Sequence, residues 1–231
     1  MRSHLKHHGQ IQWLRRQLLR WGRANFREFP WRHDRDPYRL LITEVLLKQT
    51  GARQILAVRE HILQKYGCPE HLAAADLRQL KATVHPLGLG SQRSRHLVEL
   101  GKALALKGKV PRTRRHLQQL PGVGPYSANA VACFAYGHRC AAVDVNVARV
   151  VARFFGIQVI RGELRKNELV LRRAANLVDG SNPRHLNWAL LDLGALVCRP
   201  APRCSICPLK SQCEYATTRN LAAGRQAVRT G

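Results

Sequence analysis

Apolar side chains recur at helical spacing from near the beginning of the chain. One stripe of an amphipathic helix, with arginines largely off it, is formed by Ile11, Leu14, Leu18 and Trp21. Similar patterns predict helices over residues 37–47, 52–66, 75–84, 91–106 and 145–155, a short helix ending near residue 120, and an apolar helix that begins at Pro125. The strand-like segments 141–143 and 157–160 are too short to build a sheet. We therefore predict an all-α protein, whose tail after Cys213 frays.

Charge and apolar content together narrow the class of protein. The 231 residues include 39 Lys and Arg against 14 Asp and Glu, which gives a formal net charge of +25, and 45% of the residues are hydrophobic. That apolar content suffices for a folded core and excludes a disordered basic tail. A basic folded protein indicates a polyanionic partner, most often nucleic acid, although a ribosomal-type or merely soluble basic protein is the alternative.

The sequence contains no pattern typical of membrane insertion or export. No stretch approaches the ~20 uncharged residues of a spanning helix, because Glu44 and Asp192 interrupt the longest apolar runs. The N-terminus is basic but lacks the apolar core of a signal peptide. We therefore expect an intracellular protein that has no membrane partner.

The segment LPGVGPYS, residues 120–127, lies between a short helix and a strongly apolar one. Gly122 and Gly124, on either side of Val123, permit a sharp turn that brings bare backbone N–H groups to the surface. Pro125 begins the next helix, whose N-terminal dipole points to the same place. On a basic protein this combination favours a site for a DNA phosphate. The alternative is an ordinary corner between two helices.

Four of the seven cysteines crowd near the C-terminus. These are Cys198, Cys204, Cys207 and Cys213, separated by five, two and five residues. In a reducing compartment such a group is more typical of a metal site than of disulfides. The spacing lacks the two C-x2-C pairs of a zinc ribbon. It favours a [4Fe–4S] cluster held by the four thiolates, with zinc as the alternative.

Taken together, these segments resemble the helix-hairpin-helix DNA glycosylase superfamily, in its endonuclease III branch. The resemblance extends from about residue 29 to 215. FPWR at 29–32, DPY at 36–38 and ITEVLL at 42–47 look like the opening of adenine and mismatch glycosylases, and VDVNVARV at 143–150 looks like their catalytic-aspartate segment. The resemblance implies a six-helix lobe over residues 31–136, a cluster lobe formed by residues 1–30 plus 137–231, and an active site in the cleft between them. The family's first cysteine gap is usually six residues, whereas here it is five.

The resemblance also assigns roles to two carboxylates. Asp144 matches the catalytic aspartate, which stabilises positive charge on the sugar as the glycosidic bond breaks. Asp144 also precedes a predicted helix, so it is a candidate N-cap, and both roles are compatible. Glu44 matches a residue that handles protons on the leaving base or positions water. A solvated polar face of the helix is the alternative explanation for Glu44.

Further positions follow from the same resemblance. Tyr126 stands where bifunctional relatives carry a nucleophilic lysine, so we predict a glycosylase without lyase activity. Tyr126 is then a wall of the base pocket, or else a packed helix residue. Gln49 and Leu89 are candidates to fill the space of the flipped base, but Gln49 is equally typical of a helix end and Leu89 of a core. The residues expected to contact DNA are Lys48, Gln49, Leu89, Gly122, Val123 and Gly124.

The target base is the finer question. Within the resemblance, the GSQR segment at 90–93 is similar to mismatch enzymes, and Val145 stands where adenine enzymes commonly carry Gly. Together with the short stretch after Cys213, these features imply thymine or uracil opposite guanine, whereas Gln49 is typical of adenine enzymes. We expect a monomer acting on double-stranded DNA that contains a mismatched or damaged base. The alternatives are an adenine DNA glycosylase acting opposite 8-oxoguanine or guanine, and a non-catalytic iron–sulfur module that binds DNA or senses redox state.

Overall fold

A computed structural model describes residues 2–158, 163–180 and 182–218, with side chains from residue 9 onward. Within these ranges no β-strand occurs, so the all-α prediction is confirmed. Residues 214–218 are helical and Ala216 is buried, so the fraying expected directly after Cys213 is wrong for these residues. The tail from residue 219, and residues 159–160 of the weak strand signal, lie outside the described ranges. The principal helices are α1 (Arg2–Asn25), α2 (Pro37–Leu46), α3 (Leu56–Lys65), α4 (Pro69–Ala73), α5 (Leu77–Val84), α6 (Gly90–Lys107), α7 (Arg114–Leu117), α8 (Pro125–Phe134), α9 (Val145–Phe155), α10 (Glu168–Val178) and α11 (Pro183–Leu196).

The chain divides into two compact units, one formed by residues 28–138 and the other by residues 1–27 together with 139–231. The first unit contains α2 to α8. Side-chain oxygens cap several of its helices, as when Asp36 accepts from the N–H of Arg39 and Asp76 from that of Gln79. The capping aspartate is therefore what fixes where α2 and α5 begin.

The unit 28–138 also contains a helix that the sequence pattern does not predict, α4. It packs on α6 at Gly101, where an added Cβ would lie 2.6 Å from the backbone nitrogen of Ala73. Only glycine permits this approach of two helix backbones. The predicted helix over 52–66 begins later, at Leu56, because the residues before it form turns.

The second unit is built around α1, α9, α10 and α11. The predicted stripe of α1 is confirmed, since Ile11, Leu14 and Leu18 are buried in the core of this unit. Arg15, off that stripe, donates from Nε to the carbonyl of Leu177 at 2.9 Å and so caps the C-terminal end of α10. In the portion of the chain that is described, none of the helices is both long and apolar enough to cross a membrane.

Candidate active site and nucleic-acid interface

The glycine-rich turn joins α7 to α8 in the unit 28–138. Gly122 has a left-handed backbone with φ of 70°. A Cβ there would lie 3.1 Å from that of His96 on α6, so both the backbone and the neighbour favour glycine. Gly124 caps the N-terminus of α8 with an extended backbone, and a Cβ there would meet open space. The turn therefore presents bare main chain at a helix end whose dipole favours an anion.

Two further residues tie this turn to its surroundings. Val123 is buried, and its N–H donates to the carbonyl of Leu120 at 3.1 Å. It therefore anchors the turn instead of projecting from it. Lys48, which follows α2, donates from its ammonium to the carbonyl of Gly122. Burial, together with the nearby charge of Arg93, lowers the pKa of Lys48. Lys48 thus connects the loop after α2 to the turn.

Gln49 and Leu89 both have left-handed backbones, with φ of 52° and 54°. This conformation costs about 1–2 kcal/mol for a residue with a Cβ, and such strain tends to be kept at functional sites. Leu89 is the N-cap of α6 and is 51% exposed, so the alternative of a core residue is wrong. Gln49 is exposed as well. Both side chains therefore extend from constrained loops toward solvent.

Glu44 lies on α2 and is 4% exposed. The alternative of a solvated helix face is therefore wrong, since every residue of α2 from Leu40 to Leu46 is buried. Acidic side chains are seldom buried to this extent without a partner or a function. Tyr126 lies in the first turn of α8, directly after Pro125, and is half-buried.

Asp144 is the N-cap of α9, in the other unit. Its Oδ1 accepts from the N–H of Val147 at 2.7 Å, so its role as a helix cap is confirmed. Its Oδ2 accepts from Nδ2 of Asn146 at 2.9 Å. Each carboxylate oxygen therefore has one fixed donor, and the orientation of the carboxylate is set by the first turn of α9.

A chain of hydrogen bonds continues from Asp144 to the cysteine loop. Arg149 donates from Nη2 to Oδ1 of Asn146 at 2.7 Å and from Nε to the carbonyl of Cys198 at 2.7 Å. The same guanidinium donates to the carbonyl of Gly194 at 2.9 Å. A Cβ on Gly194 would lie 2.8 Å from that of Asn146, so α9 and α11 approach closely because this residue is glycine. Asn146 and Arg149 thus join the carboxylate to the first cysteine of the loop.

Asn187 on α11 fixes the segment that leads into Asp144. Its side chain is fully buried, accepts from the N–H of Ala142 at 2.8 Å and donates to the carbonyl of Cys140 at 2.9 Å. Sequence reasoning missed Asn187. The signal that marks it is the single side-chain amide of α11, which stands directly before the apolar run WALL at 188–191.

The four cysteines of the C-terminal loop carry free thiols of intermediate burial. Burial raises the pKa of Cys207 to about 11, and the sulfurs of Cys198, Cys213 and Cys204 contribute to the increase. Cys198, Cys207 and Cys213 pack against the apolar core of the unit that contains α9. Within the described ranges, no three His, Cys, Asp or Glu side chains are arranged to hold a metal ion. Four cysteine thiolates are nonetheless the donor set of an iron–sulfur cluster, so the residue types, although not their arrangement here, fit the group that the spacing predicts.

Arg153 on α9 is a cation beside this loop. It donates to the carbonyls of Arg199 and Pro200, at 2.6 and 2.9 Å, and its Nη1 lies 3.6 Å from Sγ of Cys198. It therefore supports the loop and places positive charge next to the sulfur of Cys198. No sequence pattern indicates this contact, because 45 residues separate Arg153 from Cys198.

The fold has a close structural counterpart. The structure of a thermostable thymine-DNA glycosylase matches with a TM-score of 0.84 and 33% identity, over 92% of this chain and 99% of that chain. Residues 42–174 match the family described as HhH-GPD superfamily base excision DNA repair protein. The chain belongs to this superfamily, and the predicted helix-hairpin-helix glycosylase fold is confirmed.

Relatives of known activity are similar over most of the chain. A thymine/uracil-DNA glycosylase of Methanothermobacter thermautotrophicus is 37% identical over 202 residues, which cover 86% of this chain and 90% of that protein. An adenine DNA glycosylase of Homo sapiens is 36% identical over 88% of this chain, but over only 39% of the human protein.

Proposed function

We propose that the protein is a monofunctional DNA glycosylase that removes thymine or uracil opposite guanine in double-stranded DNA. The observation that carries the proposal is the carboxylate of Asp144, held by two donors at the start of α9. Similarity to a thymine/uracil-DNA glycosylase over most of both chains supports this class of base.

The chemistry consists of breaking one C–N bond and forming one C–O bond. As the base leaves with the bonding electrons, positive charge develops on the sugar, and the fixed carboxylate of Asp144 stabilises it. Water then adds to C1′ and gives up a proton, while the departing base takes one. We assign the proton transfer or the positioning of that water to Glu44. The products are a free base and an abasic sugar.

The proposed protein–DNA contacts lie on the unit 28–138. Because the target nucleotide must leave the stack, Gln49 and Leu89 would occupy the vacated space. Gly122 and Gly124 would receive a phosphate through their main chain, and Lys48 would support them. The formal net charge of +25 provides the sequence-independent part of the affinity. We expect the protein to act as a monomer.

We assign an iron–sulfur role to the C-terminal loop. Cys198, Cys204, Cys207 and Cys213 would hold a [4Fe–4S] cluster, in a lobe formed by residues 1–30 plus 137–231. When bound, the cluster would supply a rigid covalent anchor for the loop. Arg149 donates to the carbonyl of Cys198 and, through Asn146, supports Asp144. The chain itself thereby connects the loop to the reacting carboxylate.

Adenine is the second candidate base. The similarity to a human adenine DNA glycosylase supports it, and so does Gln49 followed by Thr50, which resembles the adenine enzymes. The same Asp144 chemistry would apply to adenine, so the choice depends on the pocket and not on the carboxylate.

The test is a panel of duplexes containing T·G, U·G, A·8-oxoguanine or A·G pairs. Each is incubated with the iron-loaded protein and then treated with alkali, which cleaves only at abasic sites. We expect cleavage with T·G and U·G. Cleavage with the adenine pairs alone would identify the second candidate. Binding without any alkali-labile site would indicate a non-catalytic DNA-binding or redox-sensing module.

A further inference from the structure

Arg93, on the first turns of α6, is a buried arginine with many partners. It is 4% exposed. Its guanidinium donates to main-chain carbonyls of two segments that are distant in sequence. One is the end of α2 with the loop after it, through Val45 at 2.8 Å, Leu46 at 2.9 Å and Lys48 at 2.9 Å. The other is the segment before α6, through Leu87 at 3.3 Å and Gly88 at 3.4 Å. One side chain therefore holds the end of α2 and the beginning of α6 together.

Thr50 closes the same junction. Its Oγ1 accepts from Nη2 of Arg93 at 3.0 Å and lies 3.1 Å from the carbonyls of both Lys48 and Leu87. The hydroxyl is thus shared by the two loops. Together, Arg93 and Thr50 join the loop after α2 to the loop before α6.

The partners of Arg93 are neutral oxygens, and burial lowers its pKa. Val45 and Leu46 lie at the C-terminal end of α2, where the helix dipole is negative and favours a cation. A planar fork of five N–H donors can serve several carbonyls at once, which a lysine ammonium cannot do with the same geometry. The site therefore uses the shape of the guanidinium as well as its charge.

The two loops that Arg93 joins carry Gln49 and Leu89, both exposed and both left-handed. Such backbones persist only when the surroundings determine them. We propose that Arg93 is a positioning residue that holds Gln49 and Leu89 as one preformed wedge, which enters the duplex when the target base leaves. The inference rests on the proposed function, because a wedge matters only for a base that must be unstacked.

The wedge is also connected to the hairpin. Lys48, whose carbonyl accepts from Arg93, donates its own ammonium to Gly122. His96, one turn beyond Arg93 on α6, is close enough to Gly122 that a Cβ added there would lie 3.1 Å from the His96 Cβ. The spacing between the phosphate-binding turn and the wedge is thereby fixed through Lys48 and α6.

The test measures base release by the iron-loaded Arg93→Lys variant, relative to wild-type protein, on two substrates. One is a T·G duplex, and the other contains the same thymine as a single-nucleotide bulge, which unstacks without a wedge. We expect single-turnover base release to fall about tenfold or more on the duplex and by less than about twofold on the bulge. Fluorescence of 2-aminopurine beside the target should show the same loss of flipping on the duplex only.

Two variants make the result specific. Arg78→Lys, an exposed arginine on α5, makes the same chemical change away from the junction and should leave both rates unchanged. In a protein that already carries Gln49→Ala and Leu89→Ala, Arg93→Lys should slow base release by less than about a further twofold. The reason is that the side chains positioned by Arg93 are gone. An additive tenfold loss in that background would overturn the proposal.

A second substitution at the same junction tests the proposal if Arg93→Lys does not fold. Thr50→Val removes the shared hydroxyl while keeping the volume of the side chain, and it should slow release on the duplex about threefold and spare the bulge. Equal losses on both substrates, for either variant, would show a general structural role and overturn the inference. Wild-type protein that releases no base from either substrate would contradict the proposed function instead.

Discussion

Asp144 uses one carboxylate for two purposes. Oδ1 caps α9 and Oδ2 accepts from Asn146. The carboxylate therefore begins the helix, and the first turn of the helix fixes the orientation of the carboxylate. Because an amide oxygen can still cap a helix, Asp144→Asn should keep the fold and DNA affinity. Losing the charge should lower base release by about 10²–10³-fold. Single-turnover kinetics and a melting curve measure these two effects separately. Near-wild-type release would leave Asp144 with the capping role alone.

We propose that Tyr126 determines whether the DNA strand is cleaved after base release. A phenol cannot form an imine with the abasic sugar, so wild-type protein should leave a site that breaks only with alkali. Tyr126→Lys introduces an amine at the first turn of α8, and we expect borohydride to trap that variant on DNA and the strand to be nicked without alkali.

Borohydride trapping of the wild-type protein on DNA would contradict the monofunctional assignment. It would indicate that another lysine, with Lys48 as the first candidate, acts as the nucleophile. If Tyr126→Lys neither traps nor nicks while its base release persists, Tyr126 does not face the sugar. Tyr126→Phe serves as the matched control, because it keeps the ring and adds no nucleophile.

At this scale the sequence predicts residues whose partners are local. The capping role of Asp144 depends on Val147, three residues away, and is readable from the apolar helix that follows. Asn187 and Arg15 are not readable in this way, since their partners lie 45 and 162 residues away. Leu89 is a third case, because it is exposed and has a left-handed backbone, and no hydrophobic pattern indicates that conformation.

Helix α9 begins directly after its N-cap Asp144 and carries Asn146 and Arg149 on its first turns. Arg149 also reaches the cysteine loop. Arg149→Met keeps much of the side-chain volume but leaves carbonyls of Cys198 and Gly194 without this donor. We expect a loss of about 1–3 kcal/mol in unfolding free energy and base release slower by about tenfold. DNA affinity should remain unchanged in a binding titration.

Arg172→Met, an exposed arginine on α10, is the control for that prediction. It removes the same charge from the same unit without touching α9. If both variants slow base release equally, the effect comes from lost charge and not from the support of Asp144.

The cysteine loop is the element whose stability we expect to depend on a cofactor. Anaerobically purified protein should be brown, with about four irons per chain. Cys204→Ser should lose iron and fold poorly, because the cluster organises the loop. Iron analysis and visible absorbance provide the measurement. Stoichiometric zinc in colourless protein would identify a zinc site instead.

Element boundaries follow the sequence where a specific residue defines them. Asp36 and Pro37 fix the start of α2, and Asp144 fixes α9 at the predicted Val145–Phe155. α4 escapes prediction because five residues are too few to display a helical period. Its place depends on Gly101, whose role becomes visible only when α4 and α6 meet.

For the whole molecule, the excess of basic residues should make the affinity for DNA depend strongly on salt concentration. If roughly five or more phosphates are neutralised, log affinity should fall against log salt with a slope of about −0.9 per contact. Arg114→Ala, beside the hairpin on α7, should weaken binding on matched and mismatched duplexes alike. Titrations at several salt concentrations measure the slope, and a flat response would argue against nucleic acid as the partner.

The unit that holds Asp144 is assembled from both ends of the chain, and this has a consequence for its synthesis. Arg15 on α1 caps α10 through a bond that spans 162 residues, and Arg27 pairs with Asp192 across 165. At ribosomal speed α1 waits about ten to thirty seconds for these partners, with its apolar stripe uncovered. Residues 28–138 are contiguous and emerge complete in the meantime. A nascent chain should therefore acquire its glycine-rich turn well before the carboxylate of Asp144 is fixed. Pulsed hydrogen exchange on stalled chains would reveal this order as early protection in α2 to α8 alone.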